Sequence, residues 1–454
     1  MKLSEKWRQK LHLEPPVGWL NDPNGLSFFK GKYHVYFQYA PDDAQGNAKK
    51  CWGHYESKNL TDWEFTGTVL VPDIPEDKDG VYSGCAYVND DMLNIFYTGN
   101  VKENGNFDYI TAGRQGNVIM VTSRDGHAMS AKKVLLTNSD YPKNCSCHVR
   151  DPKVWKEDEG YKMVLGARTF DDEGAVLLYE SDNLTDWKYR TTVTIPGFGY
   201  MWECPDYFNV DGHGYLSISP QGLSHEKYRF QNVYSSGYFK CADILKGEDN
   251  LSDFEEWDYG FDFYAPQTFE APDGRRIMIG WMGIGDIPYS NKTVQQGWQH
   301  CLTIPRHITA DRDGTLLQNP VVELEKLRGQ EYILSSGESR NFMLPFELIA
   351  NTGEAFDITF KDIANISYKD GIVTLMFTDM DVSGNRTCRR VKLERCTDIR
   401  LIADMSGIEI YLDGGRKVMS SRFYPEDENV VVSVSGIDAR IYALNKMGVV
   451  INGK

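Results

Sequence analysis

A weak repeat runs through much of this 454-residue chain and narrows the folds open to it. Five times, a polar or acidic opening with a turn residue leads into a short apolar strand, a Gly/Asp/Asn turn and a second strand. The first instance opens at Asn21-Asp22-Pro23-Asn24-Gly25 and turns at Lys30-Gly31-Lys32, and the second opens at Tyr82-Ser83-Gly84 and turns at Asn89-Asp90-Asp91. The third opens at Arg150-Asp151-Pro152, the fourth at Glu203-Cys204-Pro205-Asp206, and the fifth at Tyr264-Ala265-Pro266. Successive openings lie roughly 50 to 70 residues apart, the length of one four-stranded propeller blade. Ser57-Lys58-Asn59-Leu60-Thr61-Asp62-Trp63 also recurs as Ser181-Asp182-Asn183-Leu184-Thr185-Asp186-Trp187. A run of unrelated hairpins explains neither the spacing nor the echo. The expectation is an all-β chain whose residues 1–320 form a five-bladed β-propeller.

That geometry bears on function. The innermost strand of each blade runs beside the central axis, so the residues that start it crowd one end of the channel. Asp22, Ser83, Asp151, Glu203 and Tyr264 should therefore meet at a common mouth. Beyond Arg306 the pattern changes. Val321-Val322-Glu323-Leu324-Glu325-Lys326-Leu327-Arg328 has helical spacing and predicts a linker helix within 321–334. From residue 335 to 454, alternating strands such as Ile408-Glu409-Ile410-Tyr411-Leu412 predict a β-sandwich, with no catalytic cluster of its own.

Composition excludes several classes. A formal net charge of −16 disfavours nucleic acid and anionic membrane as partners, and no apolar run is long enough to span a bilayer. Met1-Lys2-Leu3-Ser4-Glu5-Lys6-Trp7-Arg8 lacks the apolar core of a signal peptide, and nine cysteines in no disulfide pattern suit a reducing compartment. The expected location is the cytoplasm, and the expected partner is a small-molecule sugar.

Cleaving a glycosidic bond needs one carboxylic acid to protonate the leaving oxygen and a carboxylate to attack the anomeric carbon or activate water. Acids from separate blades supply both without a metal or any other cofactor. Cys145-Ser146-Cys147-His148 is an incomplete zinc set with no second half in the sequence. Asp22 sits in a polar turn with Asn21 and Asn24, which suits an ionised carboxylate. Glu203 follows Tyr200-Met201-Trp202, a flank expected to desolvate the acid and raise its pKa.

Trp19-Leu20-Asn21-Asp22-Pro23-Asn24-Gly25 resembles the N-terminal signature of glycoside hydrolase family 32, the invertases and fructan hydrolases. Arg150-Asp151-Pro152-Lys153 and Glu203-Cys204-Pro205-Asp206 resemble its second and third blocks, and Asp404-Met405-Ser406-Gly407-Ile408-Glu409 resembles its sandwich domain. The resemblance implies a retaining β-fructofuranosidase. Asp22 would be the nucleophile, Asp151 would hold fructose hydroxyls and stabilise the transition state, and Glu203 would be the acid/base. It further implies that Asn21, Gln38, Trp52, Ser83, Arg150, Tyr264 and Trp281 contact fructose or shape its pocket.

Tyr97-Thr98-Gly99-Asn100-Val101, Ser219-Pro220-Gln221-Gly222 and Arg229-Phe230-Gln231-Asn232-Val233-Tyr234 resemble the bacterial sucrose-6-phosphate hydrolase branch. Val149, where the family usually carries a bulky aromatic, and Cys85, where a second Ser is frequent, depart from the pattern. A phosphorylated substrate would need donors at the rim, for which Arg114, His148, Lys227 and Arg229 are candidates. Free sucrose and short fructo-oligosaccharides remain alternatives within the class. So do a fructosyltransferase, an arabinan-cleaving propeller enzyme and a catalytically silent sugar-binding propeller.

Overall fold

The computed structural model describes residues 5–157 and 160–451. The turns of the repeat fall where its short polar pairs stand. Lys30 and Gly31 (φ 49° and 78°) and Asp211 and Gly212 (φ 49° and 83°) are two-residue hairpin loops with both residues left-handed. Their backbone twist matches that of the strands they join.

Each repeat opening starts the inner strand of a run of four antiparallel strands. The five inner strands are Gly18–Phe29, Val81–Asn89, Cys145–Glu157, Met201–Val210 and Tyr264–Glu270. They neighbour one another in chain order, and the fifth lies against the first, so the sheets close a ring. Side chains tie these strands together. Asn24 Oδ1 accepts from Gly84 N–H (3.0 Å), Asp151 Oδ2 from Cys204 N–H (3.0 Å), and Asp206 Oδ2 from Thr268 N–H (2.7 Å). Closure is reinforced where Trp298–Gln299 adds to the first sheet in parallel, pairing Gly18 with Trp298.

Every inner strand breaks register with its neighbour near its opening: at Leu20/Pro23 and Asn24/Ser27, Val81/Gly84, Glu203/Asp206 and Tyr264/Gln267, with the third strand slipping opposite Val164/Gly166. Asp151, Cys204 and Ala265, each followed by proline, take left-handed φ of 65°, 46° and 47° there. Such bulges bend a strand and re-aim its side chains.

The second unit is two six-stranded antiparallel sheets packed face to face. Phe346, Leu348, Ile358, Ile366, Leu375, Leu401, Ile410, Val432 and Ile441 fill the space between them. Strands such as Phe356–Phe360 alternate buried and more exposed residues, the period of a half-buried sheet. The linker helix expected over 321–334 is a short 3-10 helix at Val322–Leu327, and the chain is already a strand at Arg328–Leu334. Only Leu324 is buried in that segment, too little apolar contact to propagate a longer helix.

The two ends of the chain depart from the predicted boundaries. Gly448–Ile451 leaves the sandwich and pairs in parallel with Asp62–Phe65 of the first propeller sheet. Near the N-terminus, Trp7 Nε1 donates to Pro425 O at 2.7 Å, and His12 lies between Asp404 (2.8 Å) and Glu409 (3.0 Å) of the sandwich. The same buried seam holds Arg306, whose Nη2 meets Glu409 Oε2 at 2.7 Å and Asp258 Oδ2 at 3.2 Å. Arg386 donates to both oxygens of Asp262 at 2.7 Å. Burial alone would depress the imidazolium of His12, but its two carboxylate partners raise its pKa to about 9. Burial would raise Glu409, yet Arg306 and His12 hold it at about 2.

Candidate active site

The bulged starts of the inner strands converge on a cleft of about 660 Å³. Asp22, Asp151 and Glu203 all line it, from three different sheets. The Cys204 thiol stands between two of them, 3.8 Å from Asp22 Oδ2 and 3.7 Å from Asp151 Oδ2.

Asp22 is held by donors. Ser83 Oγ donates to Oδ2, and Asn21 Nδ2 donates to Oδ1 at 3.1 Å. Gln38 Nε2 donates to Ser83 Oγ, so the single hydroxyl proton of Ser83 is left for the carboxylate. Asn21 is itself fixed by Trp19 Nε1 at 2.6 Å. Burial nonetheless pushes Asp22 above the usual carboxylate range, with Ser83 and Asn21 pulling the other way. The polar turn read from the sequence is present, but desolvation outweighs it. Burial likewise pushes Asp151 up to about 7, against the pull of Arg150.

Glu203 is clamped on both oxygens. Arg150 donates to Oε1 through Nε (3.1 Å) and Nη2 (2.7 Å), while Gln221 Nε2 and Tyr264 O–H donate to Oε2, each at 2.6 Å. The expected apolar cradle is absent: Met201 and Trp202 are buried, and the Trp202 ring packs between the third and fourth sheets with Val164, Leu216 and Phe239. Strand alternation turns the Trp202 ring away from the face that Glu203 presents. Arg150 is placed in turn by His148, whose Nδ1 accepts from Nη1 at 2.7 Å and whose Nε2 meets Tyr109 O at 3.0 Å. Burial, with the charge of Arg150 beside it, lowers His148 to about 3, so it stays neutral with both nitrogens engaged. Among the described residues, no group of three His, Cys, Asp or Glu is arranged to hold a metal ion.

The chain as a whole has counterparts among known proteins. Residues 12–320 match the glycosyl hydrolases family 32 N-terminal domain, and residues 323–443 match the family 32 C-terminal domain. The chain belongs to glycoside hydrolase family 32. A sucrose-6-phosphate hydrolase of Bacillus subtilis is 39% identical over 456 residues, spanning 95% of this chain and 92% of that protein. Among solved structures, a Bombyx mori family 32 β-fructofuranosidase, as a mutant in complex with sucrose, superposes with a TM-score of 0.85 at 30% identity, covering 98% of this chain and 96% of that one. A sucrose-6-phosphate hydrolase from Lactobacillus gasseri gives a TM-score of 0.86 at 26% identity, covering 98% and 94%. The chain is thus a glycoside hydrolase acting on β-fructosides.

Of the residues expected at the family 32 site, Asn21, Gln38, Ser83, Arg150, Tyr264 and Trp281 line the cleft with the three acids. Trp52 does not. Its side chain is fully buried, with its ring near those of Tyr36 and Tyr97 and its N–H donated to Tyr82 O at 3.1 Å. It is the cross-strand partner of Gln38 and shares its face, but it stands one strand farther from the inner strand, so its ring packs against Val81 and Tyr97 of the second sheet behind the strand that carries Ser83. Lys227 and Arg229 are also displaced, to a separate groove beside Tyr259 and Lys417. Arg114 lines the cleft. Sequence reasoning assigned no role to Gln221, Tyr82, Lys50 or Lys102, which line it too. Gln221 closes the hairpin of Glu203, pairing with Met201, and its place at a hairpin return was the available signal.

Proposed function

We propose that this family 32 enzyme is a retaining β-fructofuranosidase that hydrolyses sucrose 6-phosphate or sucrose and releases fructose. The observation that carries the reading is the presence of three carboxyl groups from separate sheets in one cleft, each with its own fixed set of donors. The five closed sheets are read as the five blades of a propeller over residues 1–320, with the sandwich beyond the 3-10 helix.

In this mechanism Asp22 attacks the anomeric carbon of the fructosyl unit while Glu203 gives its proton to the bridging oxygen. The result is a fructosyl ester on Asp22 and a free leaving sugar. Water then attacks that carbon as Glu203 takes up the proton, which regenerates Asp22. Asp151, on the neighbouring sheet, accepts from fructose hydroxyls as positive charge develops on the ring. Arg150, Gln221 and Tyr264 fix the rotation of the Glu203 carboxyl, so its proton is delivered along one direction. Hydrolysis rather than transfer is favoured by the family relatives named for hydrolysis. Nine free thiols and the phosphorylated substrate suit a cytoplasmic setting.

Asp22→Ala and Glu203→Ala should each abolish release of fructose from sucrose and from sucrose 6-phosphate, with melting temperatures close to that of the unsubstituted protein. Near-normal turnover in either variant, or turnover on arabinan with none on sucrose, would falsify the assignment. Product analysis at high sucrose separates hydrolysis from fructosyl transfer.

A further inference from the structure

Three cations line the cleft: Lys50 from the first sheet's connecting loop, and Lys102 and Arg114 from the second sheet. In a chain of net charge −16, a local cation is ordinarily matched by a neighbouring acid. These are not: among the described residues, no ion pair includes Lys50, Lys102 or Arg114, whereas Lys49 beside them reaches Asp79 at 3.9 Å.

Lys102 and Arg114 are direct cross-strand partners. Like charges placed opposite one another repel, so the pairing is unfavourable unless something anionic lies between or above them. Arg114 is nevertheless held in place. Its Nε donates to Asn100 Oδ1 at 2.9 Å, and its guanidinium stands 5.6 Å over the ring of Tyr82, another residue of the cleft wall. Among the described residues its two terminal nitrogens have no acceptor, which leaves the edge that would meet a phosphate open. Lys50 is oriented by the carbonyls of Gly46 and Ala48 and stands 5.2 Å over the ring of Trp19. Half-burial lowers its pKa to about 8, which keeps it largely charged at neutral pH. Lys102 is exposed and Arg114 and Lys50 are half-buried, so the charges sit at the rim of the cleft while Asp151 is buried. The rim is where the leaving sugar must lie if fructose occupies the acid-lined floor.

We infer that Arg114, Lys102 and Lys50 form a phosphate subsite for the leaving sugar, which makes sucrose 6-phosphate, rather than sucrose, the preferred substrate. The inference rests on the β-fructofuranosidase reading. A sugar phosphate carries close to two negative charges at neutral pH, and three cations lining one cleft, one of them with an open guanidinium edge, suit that dianion in charge. A neutral disaccharide would bring no anion to pair with them.

The test compares kcat/KM for sucrose 6-phosphate and for sucrose in the unsubstituted enzyme, in Arg114→Gln and in Lys102→Met. The unsubstituted enzyme should prefer the phosphorylated sugar, and added salt should erode that preference because the rim charges are screened. Each substitution should cut the ratio of the two kcat/KM values by about 10- to 100-fold, mostly through KM for sucrose 6-phosphate. Glucose 6-phosphate should inhibit sucrose cleavage more strongly than glucose does, and this difference should shrink in both variants. If the unsubstituted enzyme cleaves the two sugars alike, or if both variants keep its ratio, the subsite is refuted while the hydrolase reading stands. If neither sugar is cleaved, the hydrolase reading falls and the subsite with it.

Discussion

Ser83→Ala should shift the acid limb of the pH–rate profile upward. Ser83 has one proton, and because Gln38 already donates to its oxygen, that proton goes to Asp22 Oδ2. Burial raises Asp22, and the Ser83 hydrogen bond is the largest influence holding it down. A hydrogen bond to a charged group contributes about 1.5–3 kcal/mol, and one pKa unit corresponds to about 1.4 kcal/mol. Losing the bond should therefore raise Asp22 by about 1 to 2 pH units in the free enzyme. The sign follows from the chemistry: attack requires ionised Asp22, so a higher pKa removes activity from the acid side and leaves the neutral plateau nearer its former height. The measurement is kcat/KM on sucrose as a function of pH, which reports the free enzyme. The variant will also lose some thermal stability, since Gln38 Nε2 is left without its acceptor. That loss is separable, because it lowers the melting temperature and does not move a limb recorded on folded protein. An acid limb that stayed in place, or moved to lower pH, would show that Ser83 does not hold the charge on Asp22.

Arg306→Met should lower stability by about 3–5 kcal/mol, since Asp258 would be left buried without its cation and Glu409 with His12 alone; denaturant unfolding measures it. His12, raised to about 9, contributes stability that is complete below its unfolded value near 6.5 and is lost as pH rises through 9. Melting temperatures should therefore fall across that window, and His12→Gln should flatten the fall. Trp52→Phe should destabilise the first two sheets by about 1–3 kcal/mol while leaving KM for sucrose within about twofold, because the ring packs behind the cleft rather than in it. A rise in KM of tenfold or more would place Trp52 against the sugar after all.

The repeat made the ring of sheets legible, because its turn residues and acidic openings fall at fixed points of a local motif. The convergence of Asp22, Asp151 and Glu203 followed from the same geometry. What escaped were properties set by non-local packing. Trp202 flanks Glu203 along the chain, yet alternation sends its ring into the core, and the groups that touch Glu203 come from residues 150, 221 and 264. Trp52 falls outside the cleft for a related reason: a tryptophan suited to stacking on a sugar is equally suited to a core, and its place on the third strand of the sheet, one outward from Gln38, decides. The period-3.6 pattern at 321–328 was real, but so short a segment lacked the buried stripe that would sustain a helix. Arg229 and Arg114 look alike in sequence; Arg229 lies outside any strand and lines a separate groove, whereas the register of the second sheet sets Arg114 opposite Lys102 in the cleft wall.

The crossing of the chain ends has a further consequence. Each half of the molecule keeps a piece of itself in the other's custody: His12 completes an acidic pocket in the sandwich, and Gly448–Ile451 covers the outer edge of the first sheet. Severing the polypeptide near Pro320 would therefore not yield two finished modules. One fragment would show a bare strand edge open to aggregation, and the other would bury Asp404 and Glu409 with neither imidazole nor guanidinium beside them. Produced together, the same two fragments carry matching clasps and should reassemble into a nicked enzyme that still cleaves its sugar.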